Sequence, residues 1–313
     1  MKTVKAVAPY IHPEFLNFKT APYEAWVKCG GQTAKAHYPA RKFHKLAFEH
    51  ELPTLWKNGK EARLRFVEPV SISFDTFPDY ARYEIIPFVW DCWPRYFEMM
   101  CSWLQKHQVR TVIFTASQTA ELMRERFSDM NIMYCPEAVD VSRYTQGKPL
   151  KERSIDVLEF GRGSNITLNS HPSTLNSICY VYTKVKGKFI YTNEQLYEAM
   201  GDAKITIALP RSITQPQTAG DIETLTQRYW ECMLSRMVML GHAPKELTEL
   251  IGYNPVIELD REHAQKQIQY ILTHIEDYQY LVDRNFRTAM QLGDWTLRMR
   301  DVMTWLQECD YEV

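Results

Sequence analysis

No apolar run in this 313-residue chain approaches the roughly 20 residues that a membrane-spanning helix needs. The opening Met1-Lys-Thr-Val-Lys-Ala-Val-Ala-Pro9 lacks a long apolar core of the kind that directs secretion. Paired cysteines are missing as well. Seven cysteines are scattered from Cys29 to Cys309 with no C-x-x-C, an odd set that reads as reduced thiols in the cytoplasm. Neither sign of charge dominates: Lys and Arg (37) nearly cancel Asp and Glu (38), so no global field marks a nucleic-acid binder. The chain has no P-loop, no H-E-x-x-H, no G-x-S-x-G and no Asp-x-Asp, for which Asp221-Ile-Glu223 is only a weak relative. No metal is therefore expected. Internal repeats and low-complexity tracts are absent too.

What is present is the composition of a soluble globular protein, 45% apolar and 24% charged, long enough for two domains with separate cores. Short β-rich runs alternate with helical stretches, which predicts α/β layers with parallel sheets. In the first half, strands are expected at Val4–Pro9, Ile85–Trp90, Val109–Thr115 and Asn131–Cys135. Helices are expected at Pro39–Leu52, Pro94–Lys106 and Gln118–Phe127, with Pro94 suited to a first helical turn. Residues 136–153, with Pro136, Gly147 and Pro149, read as a linker. Strands follow at Ile155–Phe160, Ile178–Thr183, Ala203–Leu209, Val238–Leu240 and Val256–Leu259. Between them lie helices at Glu194–Met200, Leu225–Ser235 and Lys245–Ile251. From about Arg261 onward the chain reads as helix only, with Gly293 closing one helix and Asp294 capping the last.

The sharpest clue is Glu223-Thr-Leu-Thr-Gln-Arg-Tyr-Trp-Glu231, two carboxylates eight positions apart. Thr224 and Gln227 fit a capping box, so a helix is expected to begin here. Its unpaired N–H groups at Thr224, Leu225 and Thr226, and its dipole, would cradle phosphate. One carboxylate then faces a sugar while the other holds ribose hydroxyls. Glu231 sits among residues expected to be buried, where an acid needs a partner such as Arg228 or a ribose.

Other candidates end strands of the same half. Gly161-Arg162-Gly163 permits close backbone approach and offers a guanidinium to phosphate. Arg211 brings a second charge, and His242, in a strand-to-helix turn, is a candidate contact for base or sugar. In the first half His12 is a candidate general base and Asp91 a candidate partner for an acceptor hydroxyl. The stretch from Lys28 to Arg65 carries nine Lys/Arg against three acids. It reads first as a solvated helix face, and otherwise as a peripheral contact with an anionic membrane surface.

Residues 131–260 resemble GT-B fold glycosyltransferases, in particular the retaining group marked by E-x7-E (glycosyltransferase family 4-like, group 1). The resemblance rests on Cys135-Pro-Glu-Ala-Val-Asp140, Ile155–Arg162, Ile207-Ala-Leu-Pro-Arg211, Glu223–Met233, Gly241-His-Ala-Pro-Lys-Glu-Leu247 and Gly252-Tyr-Asn-Pro-Val-Ile-Glu258. It implies two Rossmann-like domains facing a cleft: an acceptor-side domain at 1–145, a nucleotide-sugar domain at 152–290, and a terminal helix at 294–308 returning to the first. By this likeness Arg162 binds the diphosphate, Glu223 touches the transferred sugar and Glu231 holds the ribose. The implied function is metal-independent, retaining transfer of a sugar from a nucleoside diphosphate to a glycan, lipid-linked or small-molecule acceptor. The nucleotide-sugar is a co-substrate and no separate cofactor is implied. The implied location is cytoplasmic, including the inner membrane surface. A sugar-nucleotide epimerase and a non-catalytic nucleotide-binding protein are the alternatives on the same fold. Departures are plain. No Lys or Arg lies in Gly163–Ser170, so Arg211 or Arg228 would have to substitute, and Arg236 stands where such enzymes commonly have glycine.

Overall fold

Alternating apolar runs become the strands of two parallel sheets in the computed structural model, which describes residues 1–10, 18–37, 58–161, 178–185, 188–189 and 191–313. The chain folds into two compact units. The first comprises Met1–Glu137, Gln217–Thr224 and Trp295–Val313, and the second Ala138–Pro216 and Leu225–Asp294.

The first unit is built on a seven-stranded parallel sheet. Its strands are β1 (Lys2–Val7), β2 (Thr33–Ala34), β3 (Glu61–Val67), β4 (Glu84–Val89), β5 (Thr111–Phe114), β6 (Asn131–Tyr134) and β14 (Tyr311–Glu312). The order is β14-β1-β3-β4-β5-β6, with β2 also on β1. Near-continuous burial of β3, β4 and β5 is what a sheet covered on both faces requires. An aromatic group of Phe66, Phe88, Trp90 and Trp295 fills one face, with Phe88 and Trp90 stacked at 4.6 Å. The helix Pro94–Lys106 starts on its proline as expected and buries Met100, Cys101, Trp103 and Leu104.

The sequence pattern does not predict β3. This strand interleaves Arg63 and Arg65 with apolar residues, and both arginines are buried. Arg65 is 1% exposed and donates to Asp79 at 2.9 Å. Arg63 reaches Glu61 at 2.8 Å and lies 3.7 Å above the Tyr83 ring. These two charges of the basic stretch therefore face the protein interior rather than a membrane surface. The helix expected at Pro39–Leu52 lies outside the described residues. Among the described residues no helix is long and apolar enough to cross a membrane.

The second unit carries a five-stranded parallel sheet of order β13-β12-β11-β7-β8. Its members are β7 (Ile155–Glu159), β8 (Tyr180–Tyr182), β11 (Ala203–Ala208), β12 (Val238–Gly241) and β13 (Val256–Glu258), and a small hairpin pairs β9 (Lys184–Val185) with β10 (Lys188–Phe189). One core face gathers Leu158, Phe160, Leu225, Tyr229, Trp230 and Met239. The other gathers Val157, Ile205, Ile207, Val238 and Leu240 with the helix Ala264–Thr273.

The final residues are not helix alone. The helix Trp295–Glu308 is followed by β14, which pairs in parallel with β1 through Lys2↔Tyr311 and Thr3↔Glu312. Tyr311 donates to Glu84, which also receives Lys2, and its hydroxyl lies 2.9 Å from that of Thr111. A two-residue strand is too short to leave a period in the sequence.

Candidate functional site

The carboxyl ends of β7, β11, β12 and β13 form one edge of the second sheet, where open α/β sheets hold ligands. Four expected residues meet at this edge or on the helix behind it: Gly161, Arg228, Glu231 and His242.

Gly161 follows β7 at φ +77°, a left-handed conformation. A Cβ built there would lie 2.4 Å from the terminal nitrogen of Arg228. Glycine is thus the residue that lets the guanidinium rest on the end of β7, with the Phe160 ring 5.6 Å from its centre. Arg162 lies outside the described residues, and Arg228 brings a cation to this strand end. Arg211 follows β11 and hydrogen-bonds Gln215 at 3.0 Å.

Glu231 lies on the helix Gln227–Leu234, whose buried face is Tyr229, Trp230, Cys232, Met233 and Leu234. Its carboxylate accepts a hydrogen bond from the Tyr144 hydroxyl at 3.0 Å, and the residue as a whole is half-buried. Burial pushes the carboxyl above its usual range, against the Tyr144 hydrogen bond and the Arg228 charge, which both favour the ionised form. Sequence reasoning misses Tyr144 because it stands in the charged linker, where no periodicity marks it.

His242 is fixed three ways. Its N–H bonds the Ala208 carbonyl at 2.9 Å, and its own carbonyl accepts from Tyr229 at 2.8 Å. Its Nδ1 lies 3.0 Å and 3.2 Å from the two Glu258 oxygens. A carboxylate beside Nδ1 favours the tautomer that carries its proton on that nitrogen, in which Nε2 is the acceptor. Gly241 is required beside it, since a Cβ would fall 1.8 Å from the Ala208 oxygen.

The Glu223–Glu231 segment is divided. Glu223 and Thr224 belong to the first unit, while Leu225 to Glu231 belong to the second. No capping box forms at Thr224. The helix starts at Gln227 with Thr226 as N-cap and no side-chain cap bond. Tertiary bonds take the place of the local ones. The Glu223 N–H donates to Gln118 at 2.8 Å, and the Leu225 N–H donates to the buried Glu246 carboxylate at 2.7 Å. Thr224 is itself buried at 5% exposure. A capping box does form between Thr192 and Gln195, at the start of the helix Asn193–Gly201. Arg236, in the position where glycine is common, adopts φ +53° and ion-pairs Asp283 at 2.6 Å.

Within the first unit, Gln118 also donates to the Asp221 carbonyl at 3.2 Å, while Ile222 and Ala219 pack on Trp93 and Ala116. Glu223 therefore stands beside loops that follow β4 and β5. Asp91 is in one of those loops, at φ +52°. Near it Lys19 pairs with Asp75 at 2.9 Å and Glu68 at 3.5 Å. Burial, reinforced by the Asp91 and Asp75 charges, raises the Glu68 carboxyl above its usual range against the pull of Lys19. Nothing in the sequence singles out Glu68, since a lone acid after an unrecognised strand gives no signal. His12 lies outside the described residues.

No family model matches the chain, and no curated protein matches it. Solved structures do. The chain is similar to AviGT4, described as a glycosyltransferase involved in avilamycin A biosynthesis, at TM-score 0.53 and 11% identity, covering 99% of this chain and 98% of that one. It is similar to sucrose-phosphate synthase from Thermosynechococcus elongatus at TM-score 0.56 and 11% identity, over 96% and 80% of the two chains. TarM is similar at TM-score 0.52 and 9% identity over 78% of this chain, which spans about half (54%) of TarM. With its two parallel α/β sheets, the chain has the GT-B glycosyltransferase fold.

Proposed function

We propose that the protein is a glycosyltransferase that uses a nucleoside-diphosphate sugar and passes the sugar to a glycan, lipid-linked or small-molecule acceptor. The observation that supports this most is the grouping of Arg228 on Gly161 with the Tyr144-bonded Glu231, at the ligand-binding edge of the second sheet. In this reading the Arg228 guanidinium meets the diphosphate, Glu231 accepts the ribose hydroxyls, and His242 contacts base or sugar through Nε2. Diphosphate charge is balanced by arginine, so transfer proceeds without a metal ion. Glu223 acts on the transferred sugar and Asp91 on the acceptor hydroxyl. Transfer retains the anomeric configuration, with an oxygen of the departing phosphate taking the acceptor's proton on the same face.

The test is a calorimetric titration with UDP, GDP, ADP, TDP and CMP, first without metal and then with magnesium, on the wild type and Glu231→Ala. Binding of one diphosphate without metal, lost in the variant, is the expected result. Binding by none of them would refute the reading. A non-catalytic nucleotide-binding protein is favoured by two features: the Leu225 amide is already held by Glu246, and Gly163–Ser170 adds no cation. A chain that binds the diphosphate yet never releases it from the matching sugar nucleotide, whatever acceptor is supplied, would be of that kind.

A further inference from the structure

We infer that Tyr144 is a positioning residue for nucleotide recognition: its hydroxyl fixes the Glu231 carboxylate in the orientation that accepts the two ribose hydroxyls, with Tyr197 as its brace. The inference rests on the proposal that Glu231 holds the ribose. Tyr144 donates to one Glu231 oxygen at 3.0 Å. Its ring meets the Tyr197 ring edge-on at 5.0 Å and 73°. Tyr197 projects from the helix Asn193–Gly201, whose start is pinned by the Thr192–Gln195 capping box, and both rings pack against the core of the second unit. The brace thus runs from a capped helix through two rings to one carboxylate oxygen.

The physical case is one of orientation. A glutamate carboxylate turns freely about its last bond, and a vicinal diol is bound best by a carboxylate whose plane is already set. Fixing one oxygen sets that plane while leaving lone pairs on both oxygens for hydroxyl donors. Tyr144 is suited to the task because burial raises its phenol far above the ordinary range, so the group is an O–H donor throughout the working pH range. Arg228 is a poor substitute for this role, since its guanidinium already rests on Gly161.

The experiment compares UDP, GDP and ADP with their 2′,3′-dideoxy forms by calorimetry on the wild type, Tyr144→Phe and Glu231→Ala. The wild type is expected to favour the ribose form, Glu231→Ala to lose that preference, and Tyr144→Phe to reduce it about tenfold while binding the dideoxy form as the wild type does. Equal weakening of both forms by Tyr144→Phe, or no change in either, would overturn the role of Tyr144 alone, provided Glu231→Ala abolishes the preference. A preference that survives Glu231→Ala would overturn the ribose assignment beneath it, as would failure of all three diphosphates to bind. Should Tyr144→Phe not fold, Tyr197→Ala keeps the hydroxyl and removes the brace. Its expected signature is a loss of about threefold confined to the ribose form, and an equal effect on both forms would again refute the inference.

Discussion

Gly161→Ala is the most direct probe of Arg228, because the perturbation is a single methyl group aimed at the guanidinium. The left-handed backbone at φ +77° costs an L side chain about 1–2 kcal/mol. The added Cβ would lie 2.4 Å from the Arg228 terminal nitrogen, 3.4 Å from its Cζ and 3.8 Å from its Nε. All three atoms belong to the end of a flexible side chain. The guanidinium therefore swings away and the strand stays in place. Stability should fall by about 1–2 kcal/mol, or roughly 2–6 °C in Tm. Diphosphate affinity should fall by the worth of a hydrogen bond to a charged group, about 1.5–3 kcal/mol, which is roughly 10- to 150-fold. The assay is a double-mutant cycle of Gly161→Ala and Arg228→Ala, read by calorimetry with a nucleoside diphosphate and with the parent nucleoside. Arg228→Ala alone should lose at least as much diphosphate affinity as Gly161→Ala. Adding Gly161→Ala to it should lose little more, because nothing remains to be displaced. Nucleoside affinity should stay unchanged throughout. If Gly161→Ala weakens diphosphate binding equally with and without Arg228, the reasoning fails.

Three further predictions concern buried charge and strain. Folding raises the Glu231 carboxyl above its ordinary value of 4.5, so its favourable contribution is complete below that pH and is lost as pH rises through the folded value. Glu231→Gln keeps an acceptor for Tyr144 and should melt with the wild type near pH 4 but above it at pH 8; a difference that does not change with pH would contradict the shift. Asp91→Gly removes the left-handed strain at φ +52° and the charge facing Glu68, and should raise the denaturation midpoint by up to about 1 kcal/mol of stability; a lower midpoint would show that the Asp91 side chain holds the loop. Arg65→Ala leaves Asp79 buried without its 2.9 Å partner and should cost about 3–5 kcal/mol, whereas Arg65→Met with Asp79→Leu should recover most of it; equal instability of the single and double variants in urea would count against the ion pair as the cause.

The second unit is the more legible half. Apolar runs such as Ile155–Glu159 and Val238–Gly241 carry their own strand signal, and proline and glycine mark their ends. β3 escapes notice because buried arginines imitate surface charge, and only the distant partner Asp79 reveals otherwise. The helix that carries Glu231 begins later than its local sequence predicts, for a related reason. Thr224 and Gln227 satisfy a local rule, yet Gln118 and Glu246, 105 and 21 residues away from the atoms they hold, outcompete it. Glu231, Gly161 and Arg228 are visible as residue types at a spacing. Their companion Tyr144, 87 residues from Glu231, is not, because a contact of that range leaves no mark in local sequence.

The first unit is assembled from three separate stretches, the last of which supplies β14 to β1. A chain emerging from the ribosome therefore carries β1, with β2 and β3 already made, long before its third neighbour β14 exists. The pairing of Thr3 with Glu312 closes a loop of 309 residues, and such distant contacts form late in folding. The second unit has all its residues by Asp294, so it can finish first. The edge of β1 that β14 will occupy stays open until then, and an unpaired parallel edge is the surface most prone to pair with another copy. Order of synthesis thus makes the first sheet, rather than the second, the vulnerable part of this fold.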